Sequence, residues 1–277
     1  TLYTSLNQNM DYVIGDVQGC YDTLQKLLVK INFSEDRDRL FFLGDVVNRG
    51  KKSLETLRYI KSHKDNANMV LGNHDFHLLM CAFTSRKPNP KDTFLDIIEA
   101  PDKNALIDYL LSRPLIIECQ GFLLVHAGIP PQWGKNESFV HAELVQRQLQ
   151  GDSVELFLPK MYSNEPTNWS KNLDIEQKSR YTINALMRMR FCKSNGELEF
   201  THKMNADKAP KGYKAWFLHE NRMLKNEEIV FGHWSTLRDI NIKNIYPLDR
   251  GCFWGDYLSA IRLNDRVQFS QRSIESN

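Results

Sequence analysis

Three short apolar runs in the N-terminal half are each followed by a segment with helical spacing. The runs cover residues 12–14, 40–43 and 69–71, and their length predicts buried strands. Apolar residues then recur three and four positions apart, as one face of a helix requires: Tyr21, Leu24, Leu27, Leu28 and Ile31 after the first run, Leu54, Leu57 and Ile60 after the second, and 74–83 after the third. The β-α-β-α-β order predicts parallel strands joined by right-handed crossovers, with the loops at the strand C-termini on one edge.

The second half of the chain lacks this regular alternation. Its recognisable elements are a helix near 104–111 and strands at 115–118, 122–126, 229–231, 245–248, 257–263 and 267–269. The interval 138–225 shows no strand–helix rhythm, but it carries an Asn195-Gly196 hairpin signal between 189–192 and 198–200. We interpret 138–225 as a cap inserted into a single domain of residues 10–277. We expect residues 1–9 to be a disordered tail or a remnant ahead of Met10.

Composition narrows the class of protein. The chain has 277 residues, of which 42% are hydrophobic and 25% charged, which is typical of a globular domain and excludes disorder as the main state. No apolar run approaches the roughly 20 residues of a membrane-spanning helix, and the first fourteen residues lack a secretory signal pattern. The five cysteines are scattered without a CxxC pair, which predicts reduced thiols. A cytoplasmic location without membrane partners is therefore expected.

The net charge of +2 hides an uneven distribution. Between Lys178 and Lys225 the chain has eleven Lys and Arg residues against four acids, a balance of +7, so the remainder carries −5. A concentrated positive field favours a polyanionic ligand. The alternative is a solvated basic face, and charge alone does not separate the two.

Five of the predicted strands end in residues that ligate metals. The strand ends are Gly15-Asp16-Val17-Gln18-Gly19, Gly44-Asp45-Val46-Val47-Asn48-Arg49-Gly50, Gly72-Asn73-His74-Asp75, Val125-His126-Ala127-Gly128 and Phe231-Gly232-His233-Trp234. One such loop is usually a turn or a core histidine, but five sharing an edge indicate a metal centre. Mixed Asp, Asn and His donors suit Mn²⁺, Fe²⁺, Co²⁺ or Zn²⁺ better than Ca²⁺. Two such ions can share a carboxylate and a hydroxide that attacks phosphorus in line.

These motifs carry a family resemblance. The set GDVQG, GDVVNRG, GNHD, VHAG and FGHW resembles the metallophosphoesterases of the phosphoprotein phosphatase superfamily. Longer phrases from Met10 to Leu263, such as GDVQGCYD, HAGIPPQW, NALMRMRFC and LDRGCFWG, resemble the bacterial symmetrical diadenosine tetraphosphatase family. The resemblance implies an α/β fold, a calcineurin-like metallophosphoesterase β-sandwich flanked by helices, with an inserted cap region.

The resemblance also implies a set of metal ligands. They are Asp16 and Gln18 for the first ion, Asp45 as the bridge between the ions, and Asn73, His126 and His233 for the second. The superfamily usually has His where this chain has Gln18, and a neutral amide predicts weaker first-ion binding, directly or through water. Mn²⁺ or Co²⁺ are the ions expected first, with Fe²⁺, Zn²⁺ and Mg²⁺ as alternatives.

Further roles are implied around the metals. His74 matches the histidine that protonates the leaving group or stabilises the attacking hydroxide. Many relatives orient it with an Asp where this chain has Asn48, so we expect His74 to lack a charged partner, and Asp75 to support the metal ligands without binding an ion itself. Arg49 matches the phosphate-clamping arginine, with a strand-end salt bridge as the alternative. Asp249 is expected either to support the ligands in the same way or to start an Asx turn.

Recognition of the rest of the substrate is predicted from the cap and the last motifs. Arg188 and Arg190 lie two apart, which on a strand places both on one face. They are candidates for the distal phosphates or for a solvent-facing pair. Trp234, Trp254 and Trp169 are candidates for stacking an adenine, against the alternative that each belongs to the core.

The function implied is symmetrical hydrolysis of diadenosine 5',5'''-P1,P4-tetraphosphate to two ADP, by attack of a metal-bridging hydroxide on an inner phosphate. One alternative is a phosphoserine/phosphothreonine protein phosphatase on the same core. A second is a nucleotide-binding or RNA-end-binding protein with little catalysis, which Gln18 and Asn48 keep open. Dinucleotide-capped RNA ends carry a similar linkage and are candidate partners, although no RNA-recognition motif is present. The oligomeric state is left open.

Overall fold

The N-terminal half forms three strand–helix units in the computed structural model, which describes residues 9–275. The units are β1 (Asp11–Ile14) with α1 (Tyr21–Lys30), β2 (Arg39–Phe42) with α2 (Ser53–Ser62), and β3 (Ala67–Met69) with α3 (Asn73–Phe83). The three strands pair in parallel, as their alternation with helices predicted. Of the predicted tail, residues 1–8 lie outside the described residues, and the Asn9 carbonyl accepts a hydrogen bond from Asn264.

The remaining helices and strands follow in chain order. They are α4 (Leu95–Glu99), α5 (Lys103–Leu111), β4 (Ile116–Cys119), β5 (Phe122–Val125), α6 (Lys135–Leu149), α7 (Val154–Phe157), α8 (Ile175–Arg188), β6 (Phe191–Cys192), β7 (Leu198–Glu199), β8 (Lys214–Ala215), β9 (Glu228–Phe231), β10 (Ile245–Pro247), β11 (Asp249–Arg250), β12 (Tyr257–Arg262) and β13 (Val267–Arg272).

Two mixed sheets form the sandwich that the resemblance implied. One has the order β11-β12-β1-β2-β3, with β13 on β12, and the other has the order β10-β9-β5-β4. Side chains from both sheets share one buried cluster: Val13, Phe41 and Ile261 from the first, and Leu124 and Val230 from the second. Alternate strand residues such as Tyr12, Phe42 and Phe231 belong to the larger cluster that includes the helices. Because both faces are covered, these strands are almost continuously apolar.

The 138–225 segment is built differently. Helices α6 and α8 pack together, and β6, β7 and β8 form a separate small sheet. The hairpin predicted around Asn195-Gly196 is present as β6 and β7. The strand expected through Arg188 is wrong, because α8 continues to that residue and every residue from 181 to 187 is buried within it. The interpretation of this segment as a cap stays a prediction.

Within residues 9–275, no helix is both long and apolar enough to span a membrane. All five cysteines are free thiols, and four of them are buried.

Candidate metal centre

The two sheets deliver their strand ends to one edge of the sandwich. Asp16 follows β1, Asp45 follows β2, Asn73 begins α3, His126 follows β5 and His233 follows β9. β1 and β2 are parallel, as are β5 and β9, so their carboxyl ends point the same way. The sheets are joined here, because the His233 N–H donates to both Asp16 oxygens at 3.1 Å. The structure therefore brings the predicted strand-end residues together.

The loops at this edge concentrate backbone strain. Ten non-glycine residues have positive φ in the described chain, and five of them lie at the centre: Gln18, Asp45, Asn48, Arg49 and His233. Such conformations cost free energy and persist where surrounding contacts hold them. Gly72 and Gly232 provide the space for this geometry, because a Cβ on either would collide with the carboxylate of Asp45 or Asp16, respectively. Both positions therefore require glycine.

The donor atoms fit a metal. Ligand atoms of Asp45, His126 and His233 lie within 4.8 Å of one another. The Nδ1–H of His126 donates to the Leu43 carbonyl at 2.6 Å, which leaves Nε2 facing Asp45 Oδ2 at 3.4 Å and Asn73 Oδ1 at 3.1 Å. His233 uses Nε2 toward a backbone carbonyl at 3.1 Å, which leaves Nδ1 for an ion. A carbonyl partner on the second ring nitrogen is the usual way to orient a metal-binding histidine.

Charges at the centre are buried with few partners. Asp16 and Asp45 are 3% and 2% exposed, and among residues 9–275 neither forms an ion pair with a lysine or arginine. Burial alone would raise the pKa of Asp45, but His126 and His74 outweigh it and lower the pKa to about 2. Burial alone would lower the pKa of His126, but Asp45 and Asp16 raise it to about 10. Burial and the Asp249 carboxylate raise the pKa of Asp16. Bound cations would satisfy these carboxylates and release protons.

Asp75 organises the Asp45 loop from beneath. Its carboxylate is fully buried and accepts hydrogen bonds from the N–H groups of Asp45 at 2.8 Å, Val46 at 3.0 Å and Gly72 at 2.9 Å. Burial and the Asp45 carboxylate raise its pKa to about 7 despite these bonds. Asp75 therefore ties the loop after β2 to the start of α3.

His74 is held by a relay of side chains. Asn48 Nδ2 lies 2.9 Å from His74 Nδ1 and 2.9 Å from Asp92 Oδ1. The orientation of this amide is defined, because Asn48 Oδ1 accepts from the N–H groups of Arg49 and Thr93. His74 Nδ1 is therefore an acceptor, and the ring proton of the neutral form lies on Nε2, 3.9 Å from Asp45 Oδ2. The neighbour at Nδ1 is thus the neutral Asn48, with the Asp92 carboxylate one side chain further away, whereas the Asp45 carboxylate lies on the Nε2 side.

A cavity of about 550 Å³ opens over the donor cluster. We name it the Trp254 cavity; its lining includes Asp16, Gln18, Arg190, Lys203, Arg238 and Trp254. Asp249 also lines it, and burial raises the pKa of this carboxyl to about 6. The cavity therefore joins the acidic centre to a cationic wall.

The predicted arginines lie around the same centre. Arg49 and Arg188 line the cavity together with Arg190. Arg188 donates to Asn184 at 2.8 Å and stacks on Phe200, with 4.4 Å from guanidinium carbon to ring centre. Arg190 donates to the His233 carbonyl at 3.1 Å, but its buried Nε has no partner among the described residues. Burial lowers the pKa of Arg190 to about 10. These guanidiniums are placed to meet an anion.

The tryptophans divide into buried and exposed. The prediction that Trp234 stacks an adenine is wrong, because the side chain is buried. Trp234 is 1% exposed, donates from Nε1 to the Met204 carbonyl and packs against Phe191. Trp169 belongs to an aromatic cluster with Trp133 and other rings. Trp254 is 67% exposed and lines the cavity. The glycine motif before Trp234 predicts the end of the strand, but it does not indicate whether the Trp234 ring lies in the cavity or in the core.

Sequence reasoning missed two features of the site. Asp92 follows the polar, Pro-containing stretch after α3, and no motif marked it. A second cavity, of about 470 Å³, adjoins the first and shares Arg49, Asn73, His74 and Arg188 with it. We name it the Tyr162 cavity; Tyr162, His77, Met80 and Asn184 are among its other lining residues. Neither feature has a short sequence signal, because both depend on contacts across the 138–225 segment or the loop after α3.

The fold and the donor cluster define a class of phosphoesterase. The family model described as calcineurin-like phosphoesterase matches residues 12–236, and the chain belongs to this family. Within it, the chain is 44% identical over 255 residues to a protein of Cellvibrio japonicus named "Bis(5'-nucleosyl)-tetraphosphatase, symmetrical", with 91% of this chain and 94% of that protein covered. An Actinobacillus succinogenes protein of the same name is 40% identical over 267 residues, covering 95% and 97%.

A solved structure agrees on the fold. The crystal structure of a protein provisionally named a diadenosine tetraphosphatase superposes with a TM-score of 0.65 over 98% of this chain and 96% of that one, at 20% identity. This likeness supports the two-sheet architecture described above.

Proposed function

We propose that this protein hydrolyses diadenosine tetraphosphate at its middle phosphoanhydride and releases two ADP. The observation that carries the proposal is a buried carboxylate–imidazole cluster bordered by Arg188 and Arg190, which form no ion pair with a carboxylate among the described residues. The names of the relatives at 40–44% identity support the substrate. A phosphoanhydride chain carries several negative charges, which matches the +7 segment that contains both arginines.

Two divalent ions fit the donor set. Asp16, Gln18, Asp45, Asn73, His126 and His233 are the residues that would hold them, with Mn²⁺ or Co²⁺ as the ions we propose. When bound, such ions supply Lewis-acid activation of the phosphate and of the attacking water.

The chain's own groups contribute binding and hydrogen bonds to the reacting phosphates. Arg190 lines the cavity without an ion pair to a carboxylate among the described residues, and Arg188 is held by Asn184, so both can neutralise phosphate oxygens with little reorganisation. Arg49 lies beside His74 and suits bidentate contact with phosphate. Neutral His74 has its N–H at Nε2 because Asn48 donates to Nδ1, so this N–H can donate a hydrogen bond to the departing ADP oxygen, which leaves as an anionic phosphate oxygen.

Product analysis tests this function. Metal-stripped protein would be incubated with diadenosine tetraphosphate, with and without Mn²⁺ or Co²⁺, and the products separated by chromatography. We expect ADP alone, and only with metal. ATP plus AMP would contradict the symmetrical cut, faster hydrolysis of a phosphopeptide would support a protein phosphatase, and binding without turnover under any metal would support a binding protein.

A matched pair of variants controls that experiment. Asp45→Asn removes a charge from the centre, whereas Asp102→Asn removes one from a surface pair with Arg58. Only the first is expected to abolish ADP release. RNA bearing a dinucleotide cap contains a related linkage and can be assayed alongside. A cytoplasmic setting is part of the proposal and is supported by the five free thiols.

A further inference from the structure

The centre lies between two cavities of different chemistry. The Tyr162 and Trp254 cavities meet at Arg49, Asn73, His74 and Arg188, and each is large enough for a small-molecule ligand. A substrate with a nucleoside at both ends of a phosphate chain can place its chain at the shared wall and one end in each cavity. The two ends of a chemically symmetrical molecule would then meet different surroundings.

The Trp254 cavity is the more charged one. Beyond the shared wall it adds the exposed Trp254 ring, the cations Arg190, Lys203 and Arg238, and the acids Asp16, Asp45, Asp249 and Asp256, of which Asp256 pairs with Arg238. Its arginine and lysine side chains, and cations bound to the buried acids, would suit phosphates. The half of the substrate on this side is therefore held largely through its phosphate oxygens.

The Tyr162 cavity is mainly apolar and amide-lined. Its apolar lining residues are Phe76, Met80, Met161, Ile183 and Met187. Among the described residues, its arginine and lysine lining is limited to Arg49 and Arg188, which both belong to the shared wall. Ser163 and Asn164 lie at its exposed rim and offer hydrogen-bonding groups. An apolar floor with a few polar groups suits a nucleobase better than a phosphate.

Tyr162 supplies an aromatic surface there. The ring is 55% exposed although it is large and apolar. The Arg86 guanidinium covers it at 3.5 Å from the ring centre, which fixes the ring by a cation–π contact. Stacking on aromatic side chains is a common way to bind a base, and every base offers a π-face.

His74 lies at the wall that the two cavities share. Its Nδ1 faces Asn48 and, beyond it, Asp92, which lines the Tyr162 cavity. Its Nε2 lies 3.9 Å from Asp45 Oδ2, which lines the Trp254 cavity. The Nε2–H of His74 therefore faces the Trp254 side, where the phosphate chain would lie, and the Tyr162 cavity is left for a nucleoside.

We propose that the Tyr162 cavity binds one purine nucleoside of the substrate, with its base stacked on Tyr162. This inference rests on the proposed function and assigns one end of its substrate to this cavity. Stacking acts equally before and during the reaction, so its loss raises KM and leaves kcat nearly unchanged.

Steady-state kinetics of Tyr162→Ala and Tyr162→Phe test the assignment. We expect Tyr162→Ala to raise KM for diadenosine tetraphosphate about tenfold, with kcat within about twofold, and Tyr162→Phe to restore the wild-type value. Inorganic tetrapolyphosphate has the same anhydride linkages without a nucleoside, so its KM is expected to be unaffected. Leu156→Ala is the surface control, because Leu156 is 66% exposed and lines neither cavity.

Binding measurements test the cavity assignment independently of the proposed reaction. Calorimetry with ADP and with pyrophosphate would be compared for wild type and Tyr162→Ala. A tenfold loss of affinity for ADP alone supports the cavity assignment. If the wild type also fails to produce ADP from diadenosine tetraphosphate, only the proposed function is contradicted. An unchanged KM and ADP affinity, or equal losses for the ligands without a nucleoside, would overturn the assignment while leaving symmetrical hydrolysis intact.

Discussion

Both ends of the β1–β2 strand pair carry buried carboxylates, but only one end pairs its carboxylate with an arginine. At the start of the strands, Asp11 lies opposite Arg39 in register, and two N–H groups of Arg39 reach its oxygens at 2.7 Å. At the end of the strands, Asp16 and Asp45 are equally buried but lack such a partner among the described residues. The same two strands therefore hold one neutralised acid and two that need a cation.

The difference separates structure from function. A buried charge is tolerated when it is paired and hydrogen-bonded. Asp11 meets this condition within the chain, so its role is to stabilise the sheet. Without bound ions, Asp45 has only histidines, His126 and His74, as ion-pair partners, and Asp16 forms no ion pair in the described chain, so the chain gives up stability at this end for function. Substitutions at the two ends are therefore expected to act in opposite directions on stability and activity.

The largest effect is expected at the unpaired end. Asp16→Asn keeps the shape but removes the charge, and we expect activity to fall on the order of 10³-fold. Because burial and Asp249 disfavour the ionised Asp16, the metal-free variant should melt about 2 °C or more above the wild type. Calorimetry in a chelator and turnover assays with Mn²⁺ measure the two effects. A less stable metal-free variant would contradict the comparison.

The next effect concerns the cation that faces this end. Arg190→Gln is expected to lower kcat/KM about 100-fold, because a guanidinium aimed at a phosphate is lost. Its thermal stability should change little, since Arg190 contributes one hydrogen bond, to the His233 carbonyl, while its buried Nε has no partner in the described chain. Arg266→Gln, at a surface pair with Glu228, is the matched control. A large drop in melting temperature with little loss of kcat/KM would identify Arg190 as a structural residue instead.

The paired end is expected to show the reverse pattern. Arg39→Met should lower the free energy of unfolding by about 2 kcal/mol at neutral pH, less than a fully buried pair because Arg39 is half-exposed. Turnover per folded molecule should be unchanged, because Arg39 lies at the opposite end of β2 from Asp45. Denaturant unfolding monitored by fluorescence measures the loss.

The pH dependence of that loss is a further check. Burial alone would raise the pKa of Asp11, but hydrogen bonds from Arg39 and Gln120 outweigh it and lower the pKa below 3.8. A lowered pKa means that the stabilisation is present above the unfolded value and is lost as pH falls through the folded value. The difference between wild type and Arg39→Met should therefore shrink below about pH 4. A difference independent of pH would assign it to packing.

The smallest effect is expected from an added donor at the unpaired end. Gln18→His replaces a neutral amide with an imidazole, which borderline ions bind better. We expect the Mn²⁺ concentration for half-maximal activity to fall about tenfold. Left-handed backbone at position 18, with φ of 47°, is more accessible to His than to most residues. An unchanged metal titration would show that the side chain at position 18 does not reach the ion.

Several features were predictable because they depend on local sequence. The apolar runs of β1, β2 and β5 and the donor residues after them follow one another directly along the chain. Parallel pairing then places Asp16 beside Asp45 without further information. Asn48 follows β2 in the same loop, and its neutral amide contacts His74 Nδ1.

Other features could not be predicted because they depend on contacts between distant segments. Arg188 ends a helix instead of lying on a strand, since the last turns of α8, residues 181–187, are buried by the segments packed around them. Trp234 is buried because Phe191 and the Met204 carbonyl enclose it. Asp92 reaches Asn48 across 44 residues of sequence.

By itself, the sequence determined the sandwich strands and the donor set, because strand periodicity and the residue after each strand are local properties. Only the tertiary structure decided which acids are neutralised, which aromatic rings stay exposed and where the two cavities meet. Those outcomes depend on how the 138–225 segment and the loop after α3 pack around the strand ends. Burial and pairing are properties of the assembled fold. They determine that the residues after the strands form a charged centre between two cavities of different chemistry.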